Sequence, residues 1–161
     1  MMKLRILVCA AALLTVASCG GESADELWTR AERAAADPAA LDQAGEAYST
    51  FVTQFAQDGR AATALKNWAA IEQQQGELQG AIALYERLIK EYPESEHGDE
   101  AQFMIAFIYE EYLGEPNRAR SAYQLVIDRY PDSELAASAK QLLPHVGRNP
   151  EEWVHFQDRA Q

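Results

Sequence analysis

Cysteine is nearly missing from this chain: its 161 residues contain two, Cys9 and Cys19. Both fall within the first 20 positions, so the remainder has no possible internal disulfide. It also offers no thiolate for a structural zinc site or a cysteine nucleophile. Basic residues are scarce as well, 14 Lys plus Arg against 25 Asp plus Glu, for a formal charge of −11. A chain this acidic lacks the clustered cations that displace counterions from nucleic acid, so a nucleic-acid partner is excluded. Only three histidines occur, His97, His145 and His155, and no two stand at metal-ligand spacing. The stretch Glu96-His97-x-Asp99-Glu100 reads as an acidic helix start, where carboxylates meet the positive end of the helix dipole. No G-x-S-x-G, no H-E-x-x-H and no phosphate-cradling glycine loop is present. The expectation is no catalytic residue, no metal and no cofactor, hence no enzyme. Runs of Val, Ile and Thr that would build strands are few. What is abundant is alanine, accompanied by Glu, Gln, Leu and Arg, all good helix formers. The fold class is all-α.

The single long apolar run is at the start. Lys3 and Arg5 precede about a dozen apolar residues over 6–17, which end in Val16-Ala17-Ser18-Cys19. At 1.5 Å per residue such a helix covers about 18 Å, too short for a hydrocarbon core of about 30 Å. The layout is that of a cleaved secretory signal over residues 1–18. The small residues before Cys19 resemble the bacterial lipobox, in which the cysteine is acylated and becomes the new N-terminus. Cys19 is therefore the expected lipidation site, and its covalent lipid the one expected attachment. Removing Lys3 and Arg5 takes the formal charge from −11 to −13. Gly20 stands where an aspartate would resemble an inner-membrane retention signal, which points to a periplasm-facing anchor in the outer membrane. Residues 19–23 form a short linker, and four residues after the cysteine reach about 14 Å at most.

Beyond the linker, punctuation by Pro and Gly divides the chain into helices. Ser23 and Glu26 make an S-x-x-E capping box that opens a helix over 24–36. Further helices are expected over 38–57, 60–75, 77–92, 98–113, 116–130 and 134–143, with a last one starting at Asn149-Pro150. The stops are Asp37-Pro38, Asp58-Gly59, Gly76, Pro93, Gly114, Pro131 and Pro144. Loops this short make consecutive helices antiparallel neighbours. The domain is expected over 24–143, with 144–161 as a C-terminal helix or tail.

The pattern then repeats. Ala81, Tyr85, Ile89, Tyr92, Pro93, Ser95, Glu96 and Ala101 recur 38 residues on as Ala119, Tyr123, Ile127, Tyr130, Pro131, Ser133, Glu134 and Ala139. Ala44, Tyr48, Phe55 and Ala64 stand 37 residues before Ala81, Tyr85, Tyr92 and Ala101. A fixed period of this size is the signature of a solenoid. The small residues let two helices approach, and the tyrosines four residues on fill space on the same face.

These residues resemble the tetratricopeptide repeat. Trp68-Ala69, Gly76, Ala81, Tyr85 and Pro93 fit one unit. Ala106, Tyr109, Gly114, Ala119, Tyr123 and Pro131 fit the next, with one extra residue near Tyr112. Trp28, Ala44 and Tyr48 mark a degenerate first unit. The resemblance implies a helical-hairpin solenoid of about three repeats plus capping helices. A lipidated N-terminus followed by repeats ending in Tyr-Pro-x-Ser-x5-Ala is similar to the BamD-type outer-membrane lipoproteins, which contribute to β-barrel protein assembly. It is also similar to the YbgF-type repeat domain of the Tol-Pal system.

In that family the first helices of the hairpins line a concave groove that receives a partner segment. The resemblance places Thr63, Lys66, Ala70, Gln73 and Gln74 on that surface in the second unit, and Glu100, Phe103, Phe107, Glu110 and Glu111 in the third. Phe103 and Phe107 lie four apart and are candidates for an apolar anchor rimmed by carboxylates. The implied function is a membrane-anchored scaffold for protein partners of the cell envelope, in outer-membrane protein assembly. A Tol-Pal or cell-wall adaptor, a pilotin, and a ligand-binding envelope lipoprotein stay open as alternatives.

Overall fold

The computed structural model describes residues 21–148. The expected signal segment, Cys19 and the helix expected from Asn149 lie outside the described residues. Seven α-helices follow in order: α1 Ala24–Ala35, α2 Leu41–Gln54, α3 Ala61–Gln74, α4 Leu78–Glu91, α5 Gly98–Phe107, α6 Pro116–Arg129 and α7 Glu134–Leu142. A 3-10 turn, Pro38–Ala40, leads into α2, and a π turn, Ile108–Tyr112, extends α5. The described residues contain no strand. None of their helices is long and apolar enough to cross a membrane.

Local chemistry explains most of the ends. Ser23 Oγ accepts from the Glu26 amide while Glu26 Oε2 accepts from the Ser23 amide, so the capping box closes α1 in both directions. The Ser23 hydrogen bonds hold the Glu26 carboxyl below its usual range. Gly76, with φ of +83°, ends α3 in a Schellman turn: its amide reaches Gln73 O and the Glu77 amide reaches Glu72 O. Pro116 opens α6 at a first-turn position where no amide is needed. Ser133 caps α7 through the Leu135 amide. Ser95 accepts from the His97 amide in the same way, although α5 itself begins one residue later.

Two expectations are corrected. The second helix ends at Gln54 and not at 57, because Phe55 leaves helical geometry, as Tyr92 and Tyr130 do at the corresponding positions of the later units. The helix expected as one piece over 98–113 is α-helical only to Phe107. Its last turn is π, with the Leu113 amide reaching back five residues to Ile108 O.

Each helix packs on its neighbours in sequence, giving hairpins α1/α2, α3/α4 and α5/α6 with α7 across the end. A single core runs the length of the stack. Its small positions are Ala44, Ala81 and Ala119, all fully buried, and its large ones include Tyr48, Tyr85 and Tyr123, at most 2% exposed. Burying each aliphatic side chain of that core, such as Leu65 or Leu88, contributes about 1.5–3 kcal/mol. Burial also raises the Tyr85 hydroxyl pKa to about 12, with the Glu100 carboxylate adding to the shift.

Candidate partner-binding surface

Three joints fix the hairpins to one another, and they decide which surface residues remain available. At the first, Arg60 pairs with Asp58 at 2.8 Å and Asp25 at 2.9 Å while its guanidinium lies over the rings of Trp28 and Phe51. The Arg60 hydrogen bonds hold the Asp58 carboxyl down at about 2. At the second joint, Thr63 Oγ1 shares a hydrogen bond with His97 Nε2 at 3.0 Å, and Lys66 Nζ meets Glu100 Oε2 at 3.2 Å. The Tyr92 hydroxyl donates to Ala56 O at 3.0 Å. At the third, the Ser133 hydroxyl donates to Asp99. Thr63–His97, Lys66–Glu100 and Asp99–Ser133 are each 34 residues apart, a ladder between corresponding helices of successive units.

The groove candidates Thr63, Lys66 and Glu100 are thus already engaged in holding α3 to α5. His97 and Asp99, from the acidic helix start, are engaged likewise. Among the described residues no group of three or more His, Cys, Asp or Glu is arranged to hold a metal ion.

The other groove candidates divide into two places. Ala70 and Gln74 line a hollow of about 290 Å³ against Tyr48, Asn67 and Ile71, where Asn67 Nδ2 donates to the Tyr48 hydroxyl at 3.2 Å. Gln73 is half-buried beside it, and Gln74 is exposed. On the third unit Phe103 is half-buried and meets Tyr123 edge-on at 5.3 Å, so one of its faces belongs to the core. Phe107 is also half-buried, and its ring meets Tyr112 edge-on at 5.8 Å.

Tyr112 is not among the candidates that helical spacing selects, and the π turn explains why. Positions in α3 map onto α5 at an offset of 37, which pairs Gln73 and Gln74 with Glu110 and Glu111. The turn adds one residue, so Gly76 maps onto Gly114 at an offset of 38. Past Ile108 the partners of Gln73 and Gln74 are therefore Glu111 and Tyr112. The i to i+5 spacing of a π turn brings Tyr112 onto Phe107. Tyr112 is 53% exposed, the most exposed large apolar side chain among the described residues. The nearby carboxylates make themselves felt inside: burial raises the Tyr123 hydroxyl pKa, and Glu110 and Glu111 raise it further. The surface of the third unit is thus two aromatic rings beside two carboxylates. Such a surface can grip an apolar anchor and a neighbouring cation of a partner segment. The usable sequence signal was the extra residue near Tyr112.

A search of curated proteins returns no match to this chain. The family model described as Tetratricopeptide repeat matches residues 59–95 and 100–133. The matched residues are α3 with α4 and α5 with α6, the two hairpins that share the Ala and Tyr register. The first hairpin lies outside the match yet buries Ala44 and Tyr48 in the corresponding places. Residues 59–95 and 100–133 match the tetratricopeptide repeat, and the described residues fold as a helical-hairpin solenoid of the tetratricopeptide-repeat type, an architecture that indicates a protein–protein interaction scaffold.

Proposed function

We propose that this scaffold is a lipid-anchored subunit of the bacterial outer membrane that holds a partner in β-barrel protein assembly, in the manner of the BamD-type lipoproteins. The observation that carries the reading is the pairing of a lipobox-like Val16-Ala17-Ser18-Cys19 with tetratricopeptide repeats on a helical solenoid that starts almost at once. Helix α1 begins at Ala24, so four linker residues allow about 14 Å between an acylated Cys19 and the solenoid. A body tethered that closely lies against the membrane surface and suits docking onto an integral membrane partner. Several acyl chains on one cysteine would make the anchor stable where a single chain gives only marginal binding.

The test is affinity purification of the full chain from crosslinked native membranes, with mass spectrometry of what accompanies it. Enrichment of a β-barrel assembly protein with periplasmic domains is the expected result. Enrichment of Tol-Pal or cell-wall synthesis proteins without any barrel-assembly component would overturn the assignment.

A further inference from the structure

A larger hollow than the one beside Gln74 lies elsewhere on the described residues. A furrow of about 900 Å³ runs between α4 and α6 with α5 as its floor. Its apolar surface comes from Ile89, Ile105 and Leu125, and Leu125 is 37% exposed. At about 100° per residue, the α5 positions that line it, Gln102 and Ile105, point away from the side that carries Phe103 and Phe107, and Tyr109 of the π turn joins them in the lining. The furrow is therefore separate from the surface at Phe107 and Tyr112.

Its charge is opposite to that of the molecule. In a chain of net −11, the furrow is lined by Lys90, Arg118 and Arg129 against the single carboxylate of Glu86, with Arg118 also paired to Glu115 at 3.1 Å. At its floor Gln102 is only 3% exposed, and both of its side-chain contacts are long, 3.5 Å to Ala122 O and 3.4 Å from Arg129. An occupant with apolar side chains, carboxylates and polar groups is what this lining fits.

The chain itself supplies one. We propose that residues 149–161 fold back and occupy the furrow between α4 and α6. This segment carries Trp153, Val154 and Phe156 for the apolar floor. It carries Glu151, Glu152 and Asp158 against one basic residue, Arg159, the mirror image of the furrow's own balance. It also starts in the right place. Arg120 Nη2 donates to Val146 O at 2.6 Å, and Gly147 lies against Pro116 at the first turn of α6. From there a second hollow, walled by Leu143 and Arg120, crosses α6 and shares Ser121 and Leu125 with the furrow. The furrow extends along α6 from Asn117 to Arg129, about 18 Å of helix. Thirteen residues span about 20 Å as a helix and about 43 Å fully extended, so the segment is long enough in either form.

The experiment uses the full chain with a photo-crosslinking amino acid in place of Leu125, and peptide mass spectrometry after illumination. The expected product is an intramolecular adduct to a peptide containing Trp153. The same probe at Gln74, on the opposite surface, should give none. Reversing the furrow with Lys90→Glu and Arg129→Glu should cut the adduct by about fivefold, as expected for two ion pairs lost at an exposed site. Adding Glu151→Lys and Glu152→Lys to that variant should restore it. An adduct to a second copy, an adduct to another protein, or no adduct at all would each overturn the proposal. So would a charge reversal that leaves the yield unchanged. None of these outcomes bears on the partner surface at Tyr112.

Discussion

The second hairpin, α3 with α4, and the third, α5 with α6, solve the same packing problem with sequences that differ in length by one residue. Their second helices are in register: Ala81 and Tyr85 correspond to Ala119 and Tyr123, and all four are buried. The extra residue lies wholly in the first helix of the third unit, where the chain widens into the π turn Ile108–Tyr112 before Gly114 ends it. The core side is therefore unchanged, while the open side is altered. Where the second unit shows Gln73 and Gln74, the third shows Glu111 and the exposed ring of Tyr112 on Phe107. An insertion absorbed as a π turn can thus reshape a surface without disturbing the repeat that carries it, which fits the frequent occurrence of such turns at functional sites.

The largest effects should come from the positions the two units share. Tyr85→Ala and Tyr123→Ala should each cost about 3–5 kcal/mol, measured by urea denaturation, because both empty a buried space between helices. A cost near zero for either would mean that the unit concerned does not depend on this register.

Gly98→Ala tests a difference between the same two units. The corresponding residue of the second unit is Ala61, whereas a Cβ on Gly98 would stand 2.7 Å from the Tyr130 hydroxyl and 3.1 Å from its ring. We expect a loss of about 1–3 kcal/mol in thermal or urea unfolding, partly recovered by Tyr130→Phe. An unchanged stability would show that the Tyr130 ring shifts freely.

Deleting Glu111 should convert the π turn to an α-helical one. Stability should change by no more than about 1 kcal/mol, the scale of one aromatic pair. Partner capture should fall all the same, since Tyr112 would leave Phe107. Loss of folding on this deletion would show instead that the turn is structural.

The smallest effect concerns the joint before the second unit. Asp58 is held at about 2 by its hydrogen bonds to Arg60, below the ordinary value of 3.8. Its contribution is therefore complete above about pH 4 and is lost as pH falls toward about 2. Asp58→Asn should flatten the stability profile in that window and leave the profile's shape unchanged near neutrality. A profile as steep in the variant as in the parent would assign the slope to other carboxylates.

Much of this architecture was legible in the sequence. Pro and Gly place nearly every helix end within two residues, since Gly76 and Gly114 supply positive φ and Pro116 and Ser133 open the helices after them. The fixed offset of Ala and Tyr marked the core. The early end of α2 was not legible from local stops, because Asp58-Gly59 is the stronger one; it follows the repeat register, in which Phe55, Tyr92 and Tyr130 all turn out of the helix with nearly the same dihedrals. Nor were the cross-unit pairs: nothing local couples Thr63 to His97 or Lys66 to Glu100 across 34 residues. Those pairs turned three groove candidates, Thr63, Lys66 and Glu100, into structural joints. Tyr112 was hidden because helical spacing does not carry through a π turn.

The most direct test of the anchored-scaffold account is a photo-crosslinking residue at Tyr112 in the full chain, illuminated in native membranes. The account expects a covalent adduct to an envelope protein, reduced by deletion of Glu111 and absent when the probe is moved to Thr63. An adduct of equal yield at Thr63, or none at Tyr112 while the protein still co-purifies with its partner, would contradict it.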